Sequence, residues 1–200
     1  MPASRTGVFG GTFNPVHPGH LLVADDVRRQ LGLDRVLFVP APEPPHKSGG
    51  MATFRERLTM LSLALRGWPG LELCDIEARR PGPSYTADTL RALGTAEGIG
   101  SLHFIVGYDQ YREMAGWHAP EELTRLARLV VVSRPGVSRP RLFSGHGPGR
   151  VRFITVIGVD ISASLVRSRL ARGLSVEYML PLPVRKYIRR HRLYNQPKEA

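Results

Sequence analysis

The sequence predicts an α/β protein built on a doubly wound parallel sheet. Three observations carry that expectation. Short apolar runs of strand length recur along the chain, at residues 6–9, 35–40, 71–76, 102–106, 129–132 and 151–159. Segments with helical character fall between most of them, and strands separated by helices imply right-handed crossovers. Residue types suited to phosphate chemistry also gather just after the strands, at 10–20, 40–47, 107–109, 134 and 161–167. Parallel sheets bind ligands beyond the carboxyl ends of their strands.

The elements follow in order. Residues 6–9 read as a first strand and 21–31 as the helix after it, with Pro18 suited to its first turn because a missing N–H is harmless there. The continuous run 35–40 reads as a strand buried on both faces. A Pro/Gly-rich loop occupies 41–50. Phe54, Leu58, Leu61 and Leu65 make a helical stripe over 53–66, opened by Thr53 as N-cap. A third strand covers 71–76, and a helix covers 84–96 with Ser84 or Thr86 as its cap. The fourth strand ends at Gly107, and a helix opens at Pro120 with two glutamates. The fifth strand is followed by a Gly/Pro/Ser-rich loop over 136–149, then a sixth strand over 151–159. Helices are expected at 162–172 and 183–192.

A chain of 200 residues is expected to form one domain over 1–200, with the helices from about 162 packing on the sheet. No apolar run reaches the ~18 residues of a membrane span. Residues 1–5 lack the apolar core of a secretion signal, so a cytoplasmic location is expected. The one cysteine, Cys74, excludes an internal disulfide and reads as a small buried hydrophobe. The net charge of +11 points to anionic partners such as phosphates, nucleotides or nucleic acid. Arginine supplies nearly all of it, since lysine occurs only at 47, 186 and 198.

The densest chemistry lies at 10–20. Gly10 and Gly11 carry no Cβ, so backbone N–H groups can approach a ligand closely. The helix start that follows attracts phosphate. His17 and His20 are three apart and can face one side of the first helical turn. Together they suggest a nucleoside-triphosphate site, although a glycine turn with a surface histidine pair has the same spelling. No Walker A sequence occurs, and no Cys or carboxylate stands near at metal-ligand spacing. Lys47, on the Pro44-Pro45-His46-Lys47 loop, can reach a phosphate or can simply be solvated. The amides opening at Ser84-Tyr85-Thr86 can bind an anion, though hydroxyl capping also explains those residues. Asp109 suits ribose hydroxyls or an N-cap, and Trp117 suits a stacked ring or the core. Ser162, Ser164 and Arg167 open a helix whose amides, hydroxyls and guanidinium suit phosphate oxygens, and that helix can equally be a capped amphipathic one. The tail 183–192 interleaves basic and apolar positions, which fits a packed face with a solvated basic side.

The segment Gly10-Gly11-Thr12-Phe13-Asn14-Pro15-Val16-His17-Pro18-Gly19-His20 resembles the opening motif of the nucleotidylyltransferase superfamily. Pro44-Pro45-His46-Lys47, Ser84-Tyr85-Thr86-Ala87-Asp88-Thr89-Leu90, Gly107-Tyr108-Asp109, Trp117-His118 and Ile161-Ser162-Ala163-Ser164-Leu165-Val166-Arg167 narrow the resemblance to bacterial nicotinate-nucleotide adenylyltransferases. The tail through Tyr194 matches as well, so the likeness runs from residue 7 to residue 194. Ser164 stands where Thr is commoner, and Tyr108 is bulkier than usual.

The resemblance implies a Rossmann-like nucleotidylyltransferase fold. It implies adenylyl transfer from ATP to nicotinate mononucleotide, with Mg²⁺ carried on the nucleotide and no metal held by the protein. His17, His20, Lys47 and Arg167 would be the catalytic set. Gly10, Gly11, Thr12, Phe13, Gly107, Asp109, Ile161, Ser162 and Ser164 would complete the ATP site. Lys47, Tyr85, Thr86, Trp117, His118 and Arg134 would bind the mononucleotide. It implies no membrane and no specific nucleic-acid partner, and it leaves a homo-oligomer open.

Overall fold

Residues 4–42, 51–80, 82–133, 146 and 149–195 are described in the computed structural model. Six strands form one sheet: β1 (Ser4–Gly11), β2 (Arg35–Pro40), β3 (Leu71–Leu73), β4 (Ile99–Gly107), β5 (Arg128–Ser133) and β6 (Val151–Thr155). Their order is β3-β2-β1-β4-β5-β6, and every adjacent pair is parallel. The chain therefore starts in the middle, winds outward to β3, then returns past β1 and winds outward the other way. The doubly wound expectation holds, and the reversal falls between β1 and β4.

Helices cover both faces. On one side α1 (Pro18–Leu31), α2 (Phe54–Leu65), α6 (Ala163–Ala171) and α7 (Leu182–His191) enclose a core with Val36, Phe38, Ile105, Val130 and Ile154. On the other, α3 (Thr86–Gly94), α4 (Tyr108–Glu113) and α5 (Pro120–Leu126) pack on Val8, Leu37, Phe104 and Val131. The apolar runs 36–39, 104–106 and 129–132 belong to strands covered on both faces. Gly7 lets neighbouring chains close up: a Cβ there would lie 2.9 Å from Val36 and 3.1 Å from Leu33. Thr53 caps α2 as expected, its hydroxyl accepting from the Glu56 amide while the Glu56 carboxylate accepts from Thr53. Among the described residues no helix is long and apolar enough to cross a membrane.

Several boundaries differ from the sequence reading. β3 stops at Leu73, where Cys74 donates the final ladder bond to Phe38, and residues 76–79 turn into a 3₁₀ helix. β6 stops at Thr155 rather than 159; its last pair is Thr155 with Ser133 of β5. Val156, buried just beyond it, still donates its amide to the Ser133 carbonyl at 3.0 Å. Neither Ser84 nor Thr86 caps α3: Tyr85 holds that position without a side-chain bond, Thr86 lies inside the first turn, and the buried Ser84 hydroxyl has no partner among the described residues. Asp109 is likewise no N-cap, since Gly107 fills that place and Asp109 falls in the first turn of α4.

Candidate active site

The carboxyl ends of β1 and β4 lie side by side at the point where the winding reverses, the position at which such sheets bind ligands. Gly10 and Gly107 stand there on adjacent strands, and a Cβ built at either would meet nothing within 4 Å. Packing therefore does not demand glycine at these two positions, and the space above them is open. Gly11 and Gly19 differ. A Cβ on Gly11 would sit 3.0 Å from the Phe13 ring, and one on Gly19 would sit 3.0 Å from His17 Nδ1 and 3.3 Å from Val159. Gly19 thus lets the His17 ring fold back over the first turn of α1.

His17 is the N-cap of α1, in extended backbone, and His20 closes the first turn. Their ring centroids are 3.7 Å apart with planes inclined by 32°. The His17 amide donates to His20 Nδ1 at 3.2 Å. An Nδ1 that accepts carries no proton, so the neutral ring must hold its proton on Nε2. Burial, and then the charge of His17, keep the His20 imidazole well below its ordinary pKa. His20 is therefore a neutral ring whose Nε2–H is a fixed donor. Below it the Phe13 ring meets His20 edge-on at 5.1 Å and packs with Phe9 and Phe38. Phe13 itself has a positive φ of 47°, uncommon for a bulky residue and held here by a fully enclosed ring. Its side chain belongs to the core, so only its backbone remains to face a ligand.

The turn between β1 and α1 is tied from three other parts of the chain. Asn14 is 1% exposed; its Oδ1 accepts from the Tyr194 hydroxyl at 2.6 Å and from the Ala52 amide at 3.2 Å. Arg167 Nη1 donates to the Asn14 carbonyl at 2.7 Å. Arg57, also 1% exposed, spreads its guanidinium over the carbonyls of Thr12, Ala41, Pro42 and Ala52, at 2.9, 2.8, 2.7 and 3.3 Å. Burial lowers the Arg57 pKa, and carbonyl dipoles rather than a carboxylate satisfy the fork. Burial likewise raises the Tyr194 phenol, so it stays a donor. Arg57, Tyr194 and the Asn14 side chain had no place in the sequence reading of the site. A signal existed for Arg57: it lies three residues after Phe54 and four before Leu61, on the apolar stripe of α2.

Around this turn the structure assembles most of the expected residues. Ser162 is the N-cap of α6, its hydroxyl accepting from the Leu165 amide and 3.0 Å from the Ser164 hydroxyl. Ile161, Ser162 and Ser164 follow Val159, which borders Gly19, and Arg167 bridges to Asn14. Thr12 directly follows β1, and its carbonyl is held by Arg57. Asp109 is exposed above the end of β4. A second group lies across the other face. Tyr85, at the start of α3, stacks on His118 with centroids 4.3 Å apart and planes 30° apart. That contact sets Thr86, one residue into α3, beside the Trp117–His118 segment. Trp117 is half-buried and edge-on to Phe104 at 6.3 Å, so it packs on the core with part of its surface open. Lys47 and Arg134 lie outside the described residues. Among those described, no three His, Cys, Asp or Glu side chains form a group able to hold a metal ion.

Residues 8–169 match the cytidylyltransferase-like family. A Thermomicrobium roseum protein named "probable nicotinate-nucleotide adenylyltransferase" is 43% identical over 196 residues, covering 96% of this chain and 92% of its own. A Dehalococcoides mccartyi protein of the same name is 40% identical over 201 residues, covering 97% and 98%. Among solved structures, Plasmodium falciparum nicotinic acid mononucleotide adenylyltransferase complexed with NaAD superposes with a TM-score of 0.79 at 17% identity, covering 96% of this chain and 97% of that one. The same enzyme complexed with APC gives 0.76 at 16% identity, with the same coverage. At such identities these two support the fold. The chain belongs to the nicotinate-nucleotide adenylyltransferase family, within the cytidylyltransferase-like group.

Proposed function

We infer that this chain transfers the adenylyl group of ATP to nicotinate mononucleotide, releasing pyrophosphate and forming nicotinate adenine dinucleotide, a step of NAD biosynthesis. Residues 1–200 would act as one nucleotidylyltransferase domain in the cytoplasm, without a specific nucleic-acid or membrane partner, and as a monomer or a homo-oligomer. Family membership supports the reaction. The observation that carries it onto named residues is the His17–His20 pair at the switch point of the sheet, with a fixed donor on His20.

The nucleophile is a phosphate oxygen of the mononucleotide. It is already an anion, so the protein needs no general base; positioning and charge stabilisation suffice. The oxygen attacks the α-phosphorus in line, the P–O bond to the β-phosphate breaks, and pyrophosphate carries away the electron pair. His20 Nε2–H donates to an α-phosphoryl oxygen as charge shifts onto it, and His17 lies against the triphosphate. Backbone groups from Gly10 to Phe13 line the phosphates over the open space at Gly10. Ser162, Ser164 and the first-turn amides of α6, beginning beyond Ile161, take further phosphate oxygens. Arg167 adds charge from a guanidinium already anchored on Asn14. Lys47 neutralises charge from its loop. Gly107 and Asp109 take the adenosine ribose. Mg²⁺ arriving with the nucleotide would supply charge neutralisation at its phosphates. Thr86 and His118 offer main-chain amides to the nicotinate carboxylate, with Tyr85 and Trp117 supplying aromatic walls and Arg134 charge.

Product analysis tests the reading: ATP and Mg²⁺ are mixed with the enzyme and nicotinate mononucleotide, nicotinamide mononucleotide or phosphopantetheine in turn. Nicotinate adenine dinucleotide and stoichiometric pyrophosphate are expected from the first. A preference for phosphopantetheine would end the assignment.

A further inference from the structure

We propose that the sheet carries a second anion site at its amino-terminal edge, away from the catalytic turn, where Arg5, Arg128 and Arg152 close on a multiply charged phosphate oxyanion above buried His103. The register brings these residues together. His103 on β4 lies directly opposite Arg128 on β5 and Gly7 on β1. Arg5 is two residues before Gly7, and Arg152 pairs with Val130, two residues after Arg128. Side chains alternate along strands, so Arg5, His103, Arg128 and Arg152 share one face of the sheet. Gly7 adds no side chain beside His103. Each arginine is the first or second residue of its strand, whereas the proposed catalytic residues follow strand ends.

Three charges on one face call for a counter-charge, and the protein provides little. All three arginine residues are exposed, and none forms an ion pair among the described residues. The nearest acid in the bonding pattern, Asp34, accepts the Arg5 main-chain amide at 2.7 Å. His103 is 3% exposed, and its Nδ1 has no hydrogen-bond partner among the described residues. Burial, then Arg128, Arg5 and Arg152, hold its pKa down against a Ser101 backbone hydrogen bond that favours the charged ring; no carboxylate acts on it. Guanidinium forks suit phosphate oxygens, and three of them suit an ion with more than one charge, such as pyrophosphate or a nucleotide's phosphate chain.

His103 makes the site observable apart from the active site. Inorganic pyrophosphate is titrated into the protein, and ring ¹H–¹⁵N spectra follow His103 alongside His17 and His20. Binding should move the His103 signals saturably and raise its pKa, because an anion overhead favours the imidazolium. R128Q/R152Q should raise the His103 midpoint at least ~10-fold while leaving the His17 and His20 midpoints and adenylyl transfer unchanged. A parallel titration with ATP identifies the source: His103 movement with pyrophosphate alone marks the free ion, and movement with both marks phosphate chains in general. No His103 response up to ~10 mM pyrophosphate, a concentration beyond any specific affinity, overturns the proposal. So does an unchanged midpoint in R128Q/R152Q, or a response to an RNA oligomer when pyrophosphate has none.

Discussion

The turn proposed for catalysis and the edge proposed for the mononucleotide are built on opposite plans. The turn carrying His17 and His20 rests on enclosed side chains and is tied to residues 52, 57, 167 and 194. Across the sheet, Tyr85 is 42% exposed, His118 is exposed, and their rings stack at the surface. Stabilising charge at a reacting phosphorus requires donors fixed before the reaction begins. Recognising a ring and its carboxylate tolerates an edge that settles as the ligand arrives. The contrast suggests that chemistry sits on the rigid plan and selection on the adaptable one.

His20→Ala should break the rigid plan most severely. The transition state loses a fixed donor, so kcat should fall roughly 10²–10³-fold, about 3–4 kcal/mol, with KM for ATP changed much less. Steady-state kinetics, with circular dichroism as folding control, reads the result; near-normal kcat in a folded variant would make His20 only a cap. In the wild type the depressed His20 pKa keeps the ring neutral, so its donor should not titrate between pH 8 and 6.5. The same depression has a sign for stability. Above the unfolded value near 6.5 the contribution is complete; below it the unfolded ring takes a proton that the folded ring refuses. Stability should therefore fall as pH drops through that value, and His20→Gln should flatten part of the fall in urea midpoints taken from pH 7 to 5.

Next in size is selection at the open edge. Amides directed at a carboxylate are left poorly matched by a carboxamide, so nicotinate mononucleotide should exceed nicotinamide mononucleotide by at least ~100-fold in kcat/KM. Equal efficiencies would remove the acid-specific role of Thr86 and His118. Tyr194→Phe deletes one bond to Asn14 and should cost about 1 kcal/mol, seen as a lower urea midpoint at constant slope. Tyr85→Ala should have the smallest effect, raising KM for the mononucleotide about 3–10-fold with kcat nearly unchanged. A collapse of kcat in that variant would show that the two regions are not separable.

Both regions lie on segments that the sequence made visible, for different reasons. Parallel strands covered on both faces are written as apolar runs, so β2, β4 and β5 could be read directly, as could the Thr53–Glu56 cap. Where β6 ends could not be read, because pairing is set by its neighbour and the apolar run carries on through buried Val156 past the last paired residue. The histidine turn was legible through its glycines and helix start. Its ties were not: Arg57 reaches Thr12 across 45 residues and Tyr194 reaches Asn14 across 180, and no local pattern encodes such a partner. Nor does spelling reveal that Phe13 serves the core, since that depends on a positive φ.

The bond from Tyr194 to Asn14 also bears on how the protein is made. Synthesis delivers Asn14 early and Tyr194 only after nearly the whole described chain. A ribosome-bound polypeptide can hold every sheet strand and both histidines while this fastening is still absent. Until residue 194 has been added, the turn carrying His17 and His20 lacks this tie.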